Sequence, residues 1–307
     1  MAKTASILKN AAKIIGSLVF LVLIALTSYF LFVQPWHVRW GTTNEEADRV
    51  LPGDDIVPQP NYQCTRAITI RAPAAKVWPW LLQIGQDRGG FYSYNWIENL
   101  IGLDIHNIHH IVPKWQHLEV GDKVNLSPYY KMTVSIIEPS QSVVYNMPSD
   151  ELMTQATWAF ILYPLDSKTT RLIIRMRIGI GVLFKASLLL FDPGHFIMER
   201  KMMYGIKECA ERTQGITTGH RINEAIWFIS IIIAGLGILV LLFSKRWPWT
   251  LLIAALGTIS LILVFFKAYL SPLYGCLLAA SIIGALIWSF WPQKQSQTNK
   301  RFREIIP

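Results

Sequence analysis

Four stretches without a single charge constrain this chain more than any other feature. Residues 14–33, 225–243, 249–266 and 273–291 each run 18 to 20 residues with no Asp, Glu, Lys or Arg. At ~1.5 Å of rise per residue, each is long enough as a helix to cross a hydrocarbon layer roughly 30 Å thick. Four membrane-spanning helices are therefore expected. They account for a composition that is 52% hydrophobic and only 16% charged, which is unusual for a soluble domain. Lys3, Lys9 and Lys13 precede the first stretch, as they would precede a signal peptide. Twenty apolar residues exceed an ordinary signal core, however, and FVQPWH lacks a small-x-small cleavage site. A retained signal anchor is the expectation.

The net charge of +9 suggests nucleic acid only until it is located. Residues 36–221 carry nineteen Lys+Arg against eighteen Asp+Glu. The excess lies in the N-terminal tail, in the turn SKRWPW (Lys245, Arg246) and in the last sixteen residues (Lys294, Lys300, Arg301, Arg303). The other short loop, KAYLSP, holds only Lys267. Nine charges on one side against one on the other predict, by the positive-inside rule, that both termini are cytoplasmic and the large middle segment lies on the outer face. No nucleic-acid partner is implied. The expected order is a tail (1–13), a span (14–33), an extended arm (34–62), a folded domain (63–214), three spans and a basic tail (292–307).

Within the domain, CTRAITIRA alternates as a strand does, and PAAKVWPWLLQIG reads as a helix with Pro79 as a complication. Residues 123–127, 131–138, 142–146, 155–163 and 171–178 are expected strands. Their short connections argue for antiparallel hairpins. A helix over 193–213 closes the domain, with Asp192 as the expected N-cap and Pro193 at its first position. Met198, Met202, Ile206 and Cys209 fall on one face of it. The layout is α+β: a curved antiparallel sheet needs a partner for its apolar face, and the last helix is that partner.

This order, with GGFYSYNWIENLIGLDIH, KWQHLEVGD and the closing HFIMERKMMYGIKECAE, resembles the SRPBCC superfamily, also described as START-like or polyketide-cyclase-like. The arm WGTTNEEADRVLPGD is similar to that of its membrane-anchored, uncharacterised branch. The resemblance spans about residues 65–212. It implies a helix-grip fold, in which the sheet wraps the terminal helix around a hydrophobic cavity. It does not imply one chemistry, because fold alone does not fix function.

The loop GQDRGGFYSYNWIENLIGLDIHNIHH (85–110) is too polar for a membrane and too aromatic for a linker. It is expected to wall or rim the cavity. Trp78, Phe91, Tyr92, Tyr94, Trp96, Trp158, Met198 and Met202 are the expected ligand-contacting residues; core packing and a membrane-interface belt are the alternative roles. Asp87, Glu98 and His106 are the residues able to act as acid or base. His106, His109 and His110 have helical spacing, yet no carboxylate or Cys stands at ligand distance and HEXXH is absent, so no metal is expected. No nucleophile elbow, paired-carboxylate signature or phosphate loop is present, and no cofactor is implied. Three cysteines make no framework: a Cys64–Cys209 disulfide would require export, and packing is the expected role. The apolar run 178–191 with Lys185 reads either as a buried connector or as a flap lying on the membrane.

The expected function is binding of a hydrophobic or amphipathic small molecule, lipid- or isoprenoid-like, for transfer or sensing. A cyclase- or dehydratase-like enzyme and a ligand-free scaffold for protein partners are the alternatives. A cavity unable to take a ligand of about 300 Å³ would favour the scaffold.

Overall fold

The computed structural model describes residues 2–147, 153–180, 188–211 and 218–292. The chain divides into two compact units, residues 34–217 and residues 1–33 with 218–307.

The first unit is built on a six-stranded antiparallel sheet. Its strands are β1 (Tyr62–Ile70), β2 (Lys123–Asn125), β3 (Lys131–Glu138), β4 (Ser142–Met147), β5 (Met153–Asp166) and β6 (Thr169–Ile180). Their order is β1-β6-β5-β4-β3-β2. Only the β1–β6 neighbours are distant in sequence; the rest are joined as hairpins, as the short connections required. Four helices accompany the sheet: α2 (Gln34–His37), α3 (Asn44–Asp48), α4 (Ala74–Leu82) and α5 (Asn95–Leu100). The long α6 (Leu188–Glu211) follows β6 and packs against β1 and α4. This is the helix-grip layout.

Both faces of the sheet are covered, and strand alternation decides which residue faces what. Cys64, Ile68 and Ile70 of β1, Trp158 and Phe160 of β5, and Ile174 and Met176 of β6 face α6 and the main core. Ala67, Ala159, Ile161 and Ile173 face the opposite way, onto Leu51 and Ile56 of the arm. In β3 a bulge lies between Val134 and Ile136. It shifts the alternation by one, so that Met132 and Val134 reach the inner core while Ile136 joins the outer cluster.

The arm is more ordered than its turn-rich sequence suggests. α3 starts in a capping box, Thr43 Oγ accepting from Glu46 N while Glu46 accepts from Thr43 N. Three arginines on the outer face of β6 hold the arm down. Arg171 pairs with Glu46 and donates to Gly41 O. Arg175 donates to Asp54 and to the carbonyls of Ala47 and Arg49. Arg177 donates to the carbonyls of Val57 and Pro58.

One expectation needs correction. Asp192 is not an N-cap, because α6 already runs at Leu188 and Pro193 lies inside it. A proline in the second turn forfeits one intrahelical bond and crowds the carbonyl one turn back, and the Asp192 side chain is engaged elsewhere. Cys64 and Cys209 are free thiols; Cys64 is buried beside His195. The run 178–191 falls largely outside the described residues, as does the basic tail beyond residue 292.

The second unit holds α1 (Ala2–Ser28), which continues through a wider π turn at Tyr29–Val33, and α7 (Thr218–Leu241), α8 (Trp249–Lys267) and α9 (Pro272–Phe290). Among the described residues, four helices are long and apolar enough to cross a membrane, with mean hydropathy between 1.9 and 2.5. Residues 2–13, expected as a tail, are already helical. Small residues let these helices approach: a Cβ on Gly237 of α7 would collide with Ile282 of α9.

Candidate functional site

A cavity of about 220 Å³ opens between α6, β5 and the loop that follows α4. From α6 come Phe191, His195, Met198, Glu199 and Met202, spaced so that they share one helix face. Trp158 comes from β5, and Phe91, Ser93, Glu98, Leu103 and Ile105 from the loop, with Leu126 beside them. Residues 85–110 thus supply one wall. The loop reaches α6 because Gly205 has no side chain: a Cβ there would strike the Tyr92 carbonyl. Tyr92 itself holds a left-handed backbone, φ 56°, fixed by Asn107 Oδ1 accepting from its N–H at 2.8 Å. At about 220 Å³ the cavity falls short of the ~300 Å³ expected of a ligand pocket, which counts toward the scaffold alternative, although it exceeds the ~150 Å³ cavity that admits benzene.

Of the eight residues expected to contact a ligand, Phe91, Trp158, Met198 and Met202 line the cavity. The other four do not. Trp78 is buried in the main core. Tyr92 donates to the Trp80 carbonyl. Tyr94 is buried under Lys201, whose ammonium sits 5.0 Å from its ring. Trp96 is 53% exposed, on the side of α5 opposite Glu98. Aromatic residue type marked the region, but only the backbone path decides which rings turn inward. Among the acid–base residues, Asp87 is exposed and His106 is an exposed partner of Asp104 at 2.9 Å. Neither reaches the cavity. Glu98 does.

Glu98 is buried, and Ser93 Oγ donates to its Oε1 at 2.5 Å. Its Oε2 is buried without a hydrogen-bond partner among the described residues. Burial pushes the carboxyl above its ordinary value, against the smaller opposing effect of Ser93.

Beside the cavity lies a buried polar network. Arg66, fully buried on the inner face of β1, donates to Glu199 Oε2 at 2.6 Å and to the His37 carbonyl at 2.9 Å. Trp158 Nε1 donates to Glu199 Oε1 at 2.9 Å. Tyr62 Oη donates to Asp192 Oδ1 at 2.6 Å, and Gln34 donates to Asp192 Oδ2 at 2.9 Å. Burial acts upward on both carboxylates. For Glu199, the charges of His195 and Arg66 outweigh it and hold the group at about 2. For Asp192, His37, Tyr62 and Gln34 outweigh it and hold the group below the carboxylate range. Burial acts downward on His195, yet Glu199 and a contact with Cys64 raise it to about 9. Arg66 approaches His195 Nδ1 at 3.1 Å and can only donate, which describes the neutral tautomer with its hydrogen on Nε2. The imidazolium carries a hydrogen there as well, so Nε2 is a donor in either form.

Cys64, His195 and Glu199 offer three ligand atoms within 4.8 Å of one another. They do not fit a resident cation. Both Glu199 oxygens are already held, by Arg66 and Trp158, and a metal would sit beside a buried guanidinium.

The network was missed in the sequence, although two signals carried it. Arg66 occupies an inward position of an alternating strand, between Cys64 and Ile68, where a charge demands a buried partner. His195 and Glu199 stand i, i+4 in HFIMER on the helix face that packs on the sheet.

No family model matches the chain, and no curated protein matches it. Solved structures do. A structural-genomics protein from Mesorhizobium loti is similar over 50% of this chain and 100% of its own, at 17% identity and TM-score 0.32. One from Arthrobacter aurescens is similar over 52% of this chain and 91% of its own, at 15% and 0.34. Truncated norcoclaurine synthase from Thalictrum flavum is similar over 50% and 95%, at 12% and 0.32. The fold described above rests on sheet order and on α6, independently of these likenesses.

Proposed function

We propose that this chain is a membrane-tethered, START-like member of the SRPBCC superfamily whose domain binds a small apolar or amphipathic molecule for transfer or sensing. The observation that carries the reading is the cavity beside α6. Phe91, Trp158, Met198 and Met202 give it greasy, adaptable walls, and Ser93, Glu98 and His195 add a few polar groups. At about 220 Å³ it suits a ring or a short chain, or one segment of a lipid or isoprenoid, better than a whole lipid. Trp96, Leu100 and Ile101, exposed on and just after α5, form an apolar patch on the element that also supplies Glu98. That arrangement favours entry of the ligand from a bilayer surface. The charge distribution favours an outer-face domain with both termini cytoplasmic.

Native mass spectrometry of the detergent-extracted chain tests the binding. A small apolar adduct is expected on the wild type and not on Met202→Trp, which fills the cavity. Wild-type protein that releases no adduct and takes up none from added lipid would leave only a scaffold.

A second reading, a cyclase- or dehydratase-like enzyme, is favoured by one feature. Glu98, with its raised carboxyl, faces the same cavity as His195 and Glu199, and groups pushed apart in this way suit acid–base work. Its mark would be turnover of a polyketide- or terpene-like substrate that Glu98→Gln abolishes.

A further inference from the structure

Two donors in the cavity wall make no hydrogen bond among the described residues. Glu98 is more than nine-tenths buried. Its Oε1 accepts from Ser93, so in the acid form its proton sits on Oε2, which has no hydrogen-bond partner among the described residues. His195 Nε2 carries a hydrogen in either protonation state. It stands 3.3 Å from Glu199 Oε1, out of hydrogen-bond geometry, and is likewise buried without a hydrogen-bond partner among the described residues. A buried donor left unmade costs about 1–3 kcal/mol, and two in one wall point to an acceptor that arrives with the ligand.

We propose that the cavity recognises a neutral carbonyl compound, its oxygen placed to accept from both Glu98 Oε2 and His195 Nε2 while its apolar body lies against Phe91, Trp158 and Met202. This rests on the ligand-binding reading and names the chemical class of the ligand. A carbonyl oxygen has two lone pairs and no hydrogen, so it satisfies two donors and leaves nothing unpaired. A hydroxyl would also accept, but would bury its own hydrogen unmatched. A carboxylate is disfavoured by local charge. Arg66 is already paired with Glu199, Asp192 adds a second negative charge, and His195 faces Glu199 at 3.3 Å, its charge matched although its Nε2 makes no hydrogen bond. No surplus positive charge is left for an anion. Burial of Glu98, which favours the acid form, is consistent with a donor rather than a base.

The test uses the full chain in detergent micelles with two probes of the same shape, acetophenone and α-methylstyrene, which differ by C=O against C=CH2. Binding is measured by equilibrium dialysis and corrected for partition into protein-free micelles. Acetophenone is expected to bind about tenfold tighter, as two net hydrogen bonds of ordinary strength imply, with its carbonyl stretch shifted to lower wavenumber in the bound state. Glu98→Leu should abolish the preference yet keep α-methylstyrene binding. Glu98→Gln, which retains a donor, should preserve most of it. Equal binding of the two probes by the wild type overturns the carbonyl proposal and leaves the binding reading intact. Binding of neither overturns both. Should Glu98→Leu fail to fold, the wild-type preference and the carbonyl shift still decide.

Discussion

Glu98 is the residue on which most of the site's chemistry turns, and its own stability linkage makes it testable without any ligand. Burial raises its carboxyl above the ordinary 4.5. A group whose pKa is raised by folding favours the folded state fully below its unfolded value. That contribution is lost as pH rises through the folded value, because the ionised form is then penalised. Gln keeps the shape and donor capacity of the neutral acid and cannot ionise. The melting temperature of Glu98→Gln relative to wild type is therefore expected to climb from pH 4.5 upward and then level off. Thermal unfolding across a pH series reads this directly, and a difference independent of pH would mean that Glu98 ionises freely in the folded chain.

At the scale of elements, the Arg66–Glu199 bridge ties β1 to α6 inside the core. Removing one partner strands a buried charge, so Glu199→Gln is expected to cost about 3–5 kcal/mol. The pair Arg66→Met with Glu199→Leu is expected to cost much less, and a double-mutant cycle by chemical denaturation checks the non-additivity. The pH window follows from two shifts. Glu199, held at about 2 against an ordinary 4.5, contributes above the latter value and loses its contribution as pH falls toward the former. His195, raised from 6.5 to about 9, contributes fully below 6.5 and is lost as pH rises through 9. The network is therefore strongest between these limits and weakens on both sides. The elements themselves were largely legible. Alternation and turn residues gave all six described strands within a few residues, and apolar length gave the long helices. What escaped depended on contacts distant in sequence. The start of α6 was misplaced because Asp192–Pro193 is a fair cap signal locally, whereas Tyr62 and Gln34 recruit that carboxylate from elsewhere in the chain. The sequence of the arm reads as extended, although Thr43 and Glu46 spell a capping box. Within the site, aromatic richness located the loop but could not tell Phe91, which faces in, from Trp96, which faces out.

At the scale of the whole molecule, the four apolar helices and the charge asymmetry around them make orientation a direct experiment. Tyr129 is 90% exposed, on the turn between β2 and β3. In a cysteine-free background, Tyr129→Cys is expected to react with a membrane-impermeant maleimide on intact cells. Labelling seen only after lysis would place the domain on the cytoplasmic side. The arginine contacts along β6 have a further consequence. Arg175 and Arg177 grip backbone carbonyls as much as carboxylates, and the Arg175–Asp54 pair is shielded from solvent. Dissolved ions screen exposed charges and barely reach such contacts, even where the Debye length has shrunk to about 3 Å at roughly 1 M salt. The segment from Thr43 to Pro58 should therefore resist protease equally well in dilute buffer and in brine, and salt-induced nicking there would show that exposed charges alone pin it.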